Sequence, residues 1–297
     1  MKKYYENNLE EFYKWFVGFV EGDGSFSVLK YGGKWYLSFQ ITQSIYNIKL
    51  LYWIKSVLKV GTMNIEKDSK KVTYRIRVRE HLRDIIIPIF TKYTMYTSKE
   101  YDFNILRKSM EIINNPLLEI EEKDKLLSIL KSSSTRPINY LPTIFQKSEL
   151  ISLSDSWVVG FWEAEGSFYI LKKDEQRYVH TVGITQKLDL LVLEALKDKL
   201  NITPKIKFKI KHNFYSLETS NKRCIENINK FLKNKLIGVK SLEFRIWSRT
   251  LKFRNQPDKL LRVQTILRNL RSIRPDNENH GNLLISSWIY KNIQTNS

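Results

Sequence analysis

Two short segments of the 297-residue chain end in acids that could work as a pair. Residues 16–26 read FVGFVEGDGSF and residues 158–168 read VVGFWEAEGSF. Phe12, Trp15, Phe16, Phe19 and Val20 recur at helical spacing ahead of the first acid. Asp23 and Glu165 therefore belong to the last turn of a predicted helix, where a negative charge opposes the macrodipole at a cost of about 0.3–1 kcal/mol. Two such carboxylates brought about 4 Å apart would repel by roughly 4 kcal/mol at an effective dielectric near 20. Breaking the same local rule at two equivalent places points to function. A hard divalent cation, held by carboxylate, carbonyl and water oxygens, would neutralise both acids, and Mg²⁺ suits that donor set. Shared between Asp23 and Glu165, such ions could activate a water and stabilise a leaving oxygen in phosphodiester cleavage.

The elements that position these acids are themselves repeated. Asp23 and Glu165 lie 142 residues apart, FQITQ (39–43) and VGITQ (182–186) 143 apart, and Lys99 and Lys240 141 apart. The chain thus reads as two copies of one unit, a pattern that packs about a pseudo-two-fold axis. Gly18 and Gly22 share one face of the first helix, and Gly160 and Ala164 one face of the second. Stripes of small residues let two helix backbones approach closely, which would set the two acid-tipped ends side by side. Gly24 is read as the glycine that ends the first helix.

Each unit is expected to be α+β, in the order αββαββα. In the first, a helix over 9–22 precedes a hairpin turning at Gly32-Gly33, a helix over 46–58, a strand over 71–78, and helices over 85–90 and 99–113. In the second, a helix over 155–165 precedes strands near 167–173 and 177–185, a helix over 189–200, strands near 205–218, and helices near 222–233 and 239–254. The boundaries read as 1–115 for the first unit and 155–275 for the second. The segment 116–154, with Pro116, Pro137, Pro142 and the SSST run, reads as a linker, and 276–297 as a polar C-terminal tail.

Composition narrows the chemistry. Fifty Lys+Arg against 31 Asp+Glu give a net charge of +19, and 42% of residues are hydrophobic. Such a chain can bury a core and favours polyanionic partners over neutral ones. Codon bias in an AT-rich genome is the plain alternative source of so many lysines. A single cysteine, Cys224, excludes an internal disulfide framework and a cysteine-rich zinc site. No apolar run approaches a membrane span, and the first residues carry no secretory h-region. A calcium loop opening at Glu21 fails, because Phe26 and Gly32 stand where a glycine and an acid are needed. A glycosidase also uses two carboxylates, but a strongly basic chain gains nothing with neutral sugar. The four histidines lack metal-ligand spacing, and there is no G-x-S-x-G elbow.

Two segments alternate as a nucleic-acid-facing strand would. Lys205, Lys207, Lys209 and Lys211 interleave with Ile206, Phe208 and Ile210, which are expected to point into the core. Arg75, Arg77 and Arg79 interleave with Ile76 and Val78. The same faces would hold Lys34, Tyr36, Ser38 and Gln40 in the first unit and Lys173, Arg177 and Thr181 in the second. Arg and Gln can read base edges bidentately, whereas lysines chiefly neutralise phosphates. Two such faces would cover about 20 bp of double-stranded DNA, and their differing side chains imply a target that is only partly palindromic.

FVGFVEGDG and VVGFWEAEG resemble the LAGLIDADG motif, and the chain is similar over nearly its whole length to two-repeat, single-chain LAGLIDADG homing endonucleases. Residues 81–103 (HLRDIIIPIFTKYTMYTSKEYDF) resemble a segment of fungal mitochondrial intron-encoded members, some of which are RNA maturases. The resemblance implies two αββαββα units packed through their motif helices, each with an antiparallel DNA-binding sheet. It implies metal binding by Asp23 and Glu165 with the carbonyls of Gly22 and Ala164. Gln43 and Gln186 would lie near metal-bound waters, and Lys99 and Lys240 near the scissile phosphates. Glu21 and Glu163 depart from the named Asp of the motif and are read as structural or as supporting the metal ligands from behind, and not as directly catalytic. The implied activity is a monomeric, Mg²⁺-dependent double-strand cut leaving short 3′ overhangs. Two or three ions would take part, with Mn²⁺ substituting and Ca²⁺ binding without supporting cleavage. The resemblance also leaves open an intron RNA maturase, alone or in addition, and implies a mitochondrial location.

Overall fold

The computed structural model describes residues 1–66, 68–132, 135–147 and 151–272. The 276–297 tail lies outside the described residues.

After a short helix over Lys2–Asn7, the first half continues with α1 (Leu9–Asp23), which runs directly into β1 (Gly24–Tyr31) and β2 (Lys34–Ser44). Asn8 caps α1 by accepting from the Glu11 N–H. Gly32 and Gly33 take φ of +55° and +74°, the double left-handed turn that a two-residue hairpin requires. Then follow α2 (Ile48–Leu58), β3 (Thr62–Glu66), β4 (Lys71–Ile76) and, after a helical segment ending at Lys92, α3 (Lys99–Asn114). The strands form one antiparallel sheet in the order β1-β2-β4-β3. Gly24 is extended (φ −86°, ψ 166°), not left-handed as a helix-terminating glycine would be. Its lack of a side chain serves close packing instead, since an added Cβ would overlap Val20.

The segment expected to link the halves contains α4 (Ile120–Ser132). It is tied to the first sheet through Asp124, which accepts from Trp35 Nε1 at 2.8 Å and from Lys30 Nζ at 2.9 Å.

The second half repeats the first. α5 (Asp155–Glu165), β5 (Ser167–Lys172), β6 (Tyr178–Gln186), α6 (Leu190–Lys199), β7 (Lys207–Lys209), β8 (Phe214–Thr219), α7 (Lys222–Leu232) and α8 (Lys240–Arg249) follow in the same order. A further helix, α9 (Pro257–Ser272), closes the described chain. The sheet order is β5-β6-β8-β7, the same topology.

Aromatic layers fill the space beneath each sheet. Phe26 lies 5.4 Å from Phe39, 5.0 Å from Phe90 and 5.4 Å from Phe103 between ring centroids. In the second half Phe168 lies 5.1 Å from Phe244 and 5.4 Å from Trp247. Each such pair contributes about 0.5–1.5 kcal/mol beyond area burial. The two halves meet through α1 and α5. An added Cβ at Gly18 would overlap the Trp157 carbonyl, and one at Gly160 the Trp15 carbonyl. Backbone lies on backbone at both points, so the small-residue stripes are sterically required.

Candidate active site at the helix pair

The close approach of α1 and α5 carries their C-terminal ends together. A Cβ placed on Gly22 would overlap the Ala164 methyl and press on the Glu165 side chain. Asp23 and Glu165 are both half-buried at this junction. Burial pushes the Glu165 carboxyl up, and the neighbouring Asp23 charge pushes it further in the same direction. The two acids therefore share one electrostatic environment.

Two lysines converge on the same place. Lys99 is the first residue of α3 and Lys240 the first of α8. Lys99 Nζ donates to the carbonyls of Val20 at 3.0 Å and Gly22 at 2.8 Å. Lys240 Nζ donates to the Ala164 carbonyl at 3.3 Å and to the Gly166 carbonyl. Each amine thus touches the carbonyl just ahead of a motif acid. Burial pulls Lys99 below the ordinary lysine range, while Asp23 and Glu165 oppose that shift. Gln43 Nε2 donates to Asp23 Oδ2 at 2.7 Å, and Gln186 hydrogen-bonds Glu165. All six residues picked from sequence as a catalytic group stand together, with Gly22 and Ala164 between them.

Glu21 and Glu163 are buried beside this group, and their oxygens are taken up by the turns that precede the lysine helices. Glu21 accepts from the backbone N–H groups of Tyr96 at 2.7 Å and Thr97 at 2.6 Å, and from Trp157 Nε1 at 2.6 Å. Glu163 accepts from the N–H groups of Ile237 at 2.7 Å and Gly238 at 3.0 Å. Burial raises both carboxyls to about 7. Their work is to seat the turns that lead into the two lysine helices.

Three further residues join the site that the sequence pattern did not single out. Asn47 and Asp189 sit 142 residues apart, the motif offset, so the repeat could have exposed them. Arg136 comes from the segment read as a linker, where no repeat or motif flags it. It lines an open cleft with Gly22, Lys99, Glu165, Gln186 and Asp189.

A cation held here would find two carboxylates and two carbonyls, all hard oxygen donors. A carbonyl oxygen has two lone pairs, so the lysine contacts leave Gly22 and Ala164 able to accept again. Among the described residues no cluster of three or more His, Cys, Asp or Glu forms a ligand set. The donor chemistry fits a hard divalent ion completed by non-protein oxygens, and not a zinc-type site.

The outer faces of the sheets depart in part from the alternation read in sequence. Lys34, Tyr36, Arg77 and Arg79 are exposed, as are Lys173 and Arg177. Arg75 pairs across the sheet with Gln40, and its Nε donates to the Gln40 Oε1 at 2.9 Å. Ser38 and Thr181 are buried and bonded to Ser27 and Ser220, each at 2.8 Å. β4 stops at Ile76, so Val78 is 50% exposed and Arg79 begins a helical turn, donating to the Trp35 carbonyl at 3.2 Å. Lys205, Lys207, Lys209 and Lys211 are all exposed, but only Lys207–Lys209 is strand. The chain then turns through Ile210–His212 to Asn213 at φ 50°. Ile206 packs against the core, whereas Phe208 is 46% and Ile210 84% exposed. A three-residue edge strand is too short to hold seven alternating residues in register, and Phe208 packs on Tyr215 instead, 4.9 Å between centroids.

Paired αββαββα halves, joined through acid-tipped helices that lie backbone to backbone, define the single-chain, pseudo-dimeric architecture of LAGLIDADG proteins. The chain belongs to the LAGLIDADG endonuclease family, whose model matches residues 16–110 and 158–251. It is 38% identical over 272 residues to the probable intron-encoded endonuclease Cox1-I1b of Schizosaccharomyces pombe, covering 88% of this chain and 69% of that one. It is 30% identical over 259 residues to the uncharacterized mitochondrial protein RF1 of Saccharomyces cerevisiae, covering 86% of this chain and 47% of that one. The homing endonuclease I-SmaMI bound to cleaved DNA shares the fold, with a TM-score of 0.72 and 23% identity over 91% of this chain and 98% of that one.

Proposed function

We propose that this chain is a site-specific, Mg²⁺-dependent double-strand DNA endonuclease acting as a monomer. The observation that carries the reading is the convergence of Asp23 and Glu165, from two repeats, with Lys99 and Lys240 at one junction. Bound there, two or three divalent ions would supply Lewis-acid polarisation of the phosphate and a nucleophilic water. Asp23 and Glu165 would hold them, with the Gly22 and Ala164 carbonyls completing the ligand set. Gln43 and Gln186 orient the two carboxylates. Lys99 and Lys240 offset the charge that develops on a phosphate in its transition state. Each half serves one strand, and the products carry short 3′ overhangs.

The exposed residues Lys34, Tyr36, Arg77, Arg79, Lys173, Arg177, Lys205, Lys207, Lys209 and Lys211, with Arg75 and Gln40, form the DNA-reading faces. Their different side chains suit a long, partly palindromic target. The intron-encoded and mitochondrial relatives support a mitochondrial intron origin. Retained acids in both repeats favour cleavage over a maturase that only binds intron RNA. The test is cleavage of randomised and host-derived duplexes in Mg²⁺, Mn²⁺, Ca²⁺ and EDTA. Cutting of one site in Mg²⁺ and Mn²⁺ alone is expected. A folded protein that cuts nothing in either ion overturns the reading and directs attention to intron RNA.

A further inference from the structure

Asn and Asp are strong helix N-caps because their side chains accept from N–H groups of their own first turn. Asn47 is the N-cap of α2 and Asp189 the N-cap of α6, yet neither side chain caps its own helix. Both reach across to the other half. Asn47 Oδ1 accepts from the Val239 N–H at 3.0 Å. Asp189 accepts from the Ser98 N–H at 2.5 Å and from Ser98 Oγ at 3.1 Å. Val239 and Ser98 immediately precede Lys240 and Lys99.

The result is a pair of matching grips. The N–H groups of residues 96, 97 and 98 are taken by Glu21 of the same half and Asp189 of the other. Those of 237, 238 and 239 are taken by Glu163 of the same half and Asn47 of the other. A Cβ on Gly238 would overlap the Asn47 Oδ1, so this grip leaves no room for a side chain there.

The two grips differ in one respect. Asn47 also donates, from Nδ2 to the Gln43 Oε1 at 2.8 Å, and Gln43 Nε2 donates to Asp23 at 2.7 Å. A directed chain of hydrogen bonds thus runs from the Val239 N–H through Asn47 and Gln43 to the Asp23 carboxylate. It fixes which end of the Gln43 amide faces Asp23. Asp189 spends both of its oxygens accepting from Ser98 and passes no hydrogen bond on in this way.

We propose that Asn47 and Asp189 are reciprocal positioning residues that seat each lysine helix from the opposite half, and that Asn47 also orients Gln43 toward Asp23. The proposal rests on the endonuclease reading. Because only Asn47 has the donor, its loss acts on the Asp23 centre and so on one strand more than the other.

The test uses the full chain and a duplex carrying a site selected from a randomised library by the unaltered protein, each strand labelled separately. Asn47→Asp keeps the acceptor for Val239 and removes the donor to Gln43. Under single-turnover conditions with saturating protein, it is expected to slow one strand at least tenfold and the other less than threefold. Binding in Ca²⁺ should stay within threefold. In a Gln43→Ala background, Asn47→Asp should add nothing further to the slow strand, because its effect passes through Gln43. Asp189→Ala, which takes the acceptor from the Ser98 N–H, should slow cleavage at least threefold with binding in Ca²⁺ within threefold. Asp189→Asn, which restores an acceptor, should recover part of that loss. An unslowed Asp189→Ala overturns its half of the inference. Equal slowing of both strands by Asn47→Asp, no slowing, or the same added effect without Gln43 overturns the inference. Failure of the unaltered protein to select and cut any duplex overturns the endonuclease reading itself.

Discussion

The Lys99 amine donates to the Gly22 carbonyl over 2.8 Å, although 77 residues separate the two in the chain. The contact delivers a half-buried cation to the acid-tipped end of α1. Lys240 repeats it on Ala164. Both lysines begin helices, where the dipole disfavours a cation, and the neighbouring acids supply the compensating field. Lys99→Met removes the charge and keeps the stem. It should reduce single-turnover cleavage by on the order of a hundredfold with binding in Ca²⁺ within about threefold. A rate unchanged by Lys99→Met would show that the amine only packs.

Gly18 and Gly160 test the helix pair. Alanine at either position forces a methyl into a carbonyl of the facing helix, and backbone on both sides leaves nothing flexible to give way. Gly18→Ala and Gly160→Ala should each destabilise the fold by about 2 kcal/mol or more, read as a lowered midpoint of thermal or urea unfolding. Gly33→Ala is the control on the other mechanism, since no atom would meet its Cβ and only its left-handed φ of +74° is strained. Its cost should be nearer 1 kcal/mol.

His180 supplies a pH dependence. It is buried on β6, with Nε2 3.0 Å from Thr250 Oγ1, Nδ1 unpartnered, and its ring against Trp247. Burial, aided by Arg254, lowers it to about 4. The unfolded chain takes up a proton near pH 6.5 that the folded chain refuses until about 4. The contribution of His180 is therefore full above about 6.5 and is lost as the pH drops through that window, by on the order of 3 kcal/mol, while Glu21 and Glu163, raised by burial, pull the opposite way. Relative to the unaltered protein, His180→Phe should gain stability as the pH falls from about 6.5 to about 4.5. An unchanged slope would assign the effect to other groups.

Much of this arrangement is legible in the amino-acid sequence. The repeat offset located both acids, both lysines and both glutamines, and the α5 helix was read to its ends. Gly32-Gly33 located the first hairpin. What escaped reading has physical causes. β3 is almost wholly exposed, so it carries no hydrophobic alternation. α4 offers one buried residue, Leu127, against several exposed apolar ones, and its position follows from Asp124 contacts nearly 90 residues distant in the chain. Phe208 and Ile210 fit an inward alternation that a short edge strand cannot sustain. Asn47 and Asp189 looked like ordinary caps, and only the packing of the halves shows that their side chains turn elsewhere.

The lysine-bearing edge offers a separate check on the DNA-facing surface. Lys207 and Lys209 point outward from β7. Lys207→Ala and Lys209→Ala should each weaken binding across sequences and reduce the slope of log affinity against log salt by about 0.9. An unchanged slope would remove this edge from the interface.

The central claim is that Asp23 and Glu165 together serve two strand cuts through metal held between them. The most direct measurement is strand-resolved cleavage of a selected duplex by Asp23→Asn and by Glu165→Gln, with Mg²⁺ and with EDTA, alongside binding in Ca²⁺. Each substitution should abolish double-strand cutting while leaving site binding within about tenfold, and EDTA should silence the unaltered protein. Full Mg²⁺-dependent cutting by either variant, or cutting that survives EDTA, would contradict a shared metal centre.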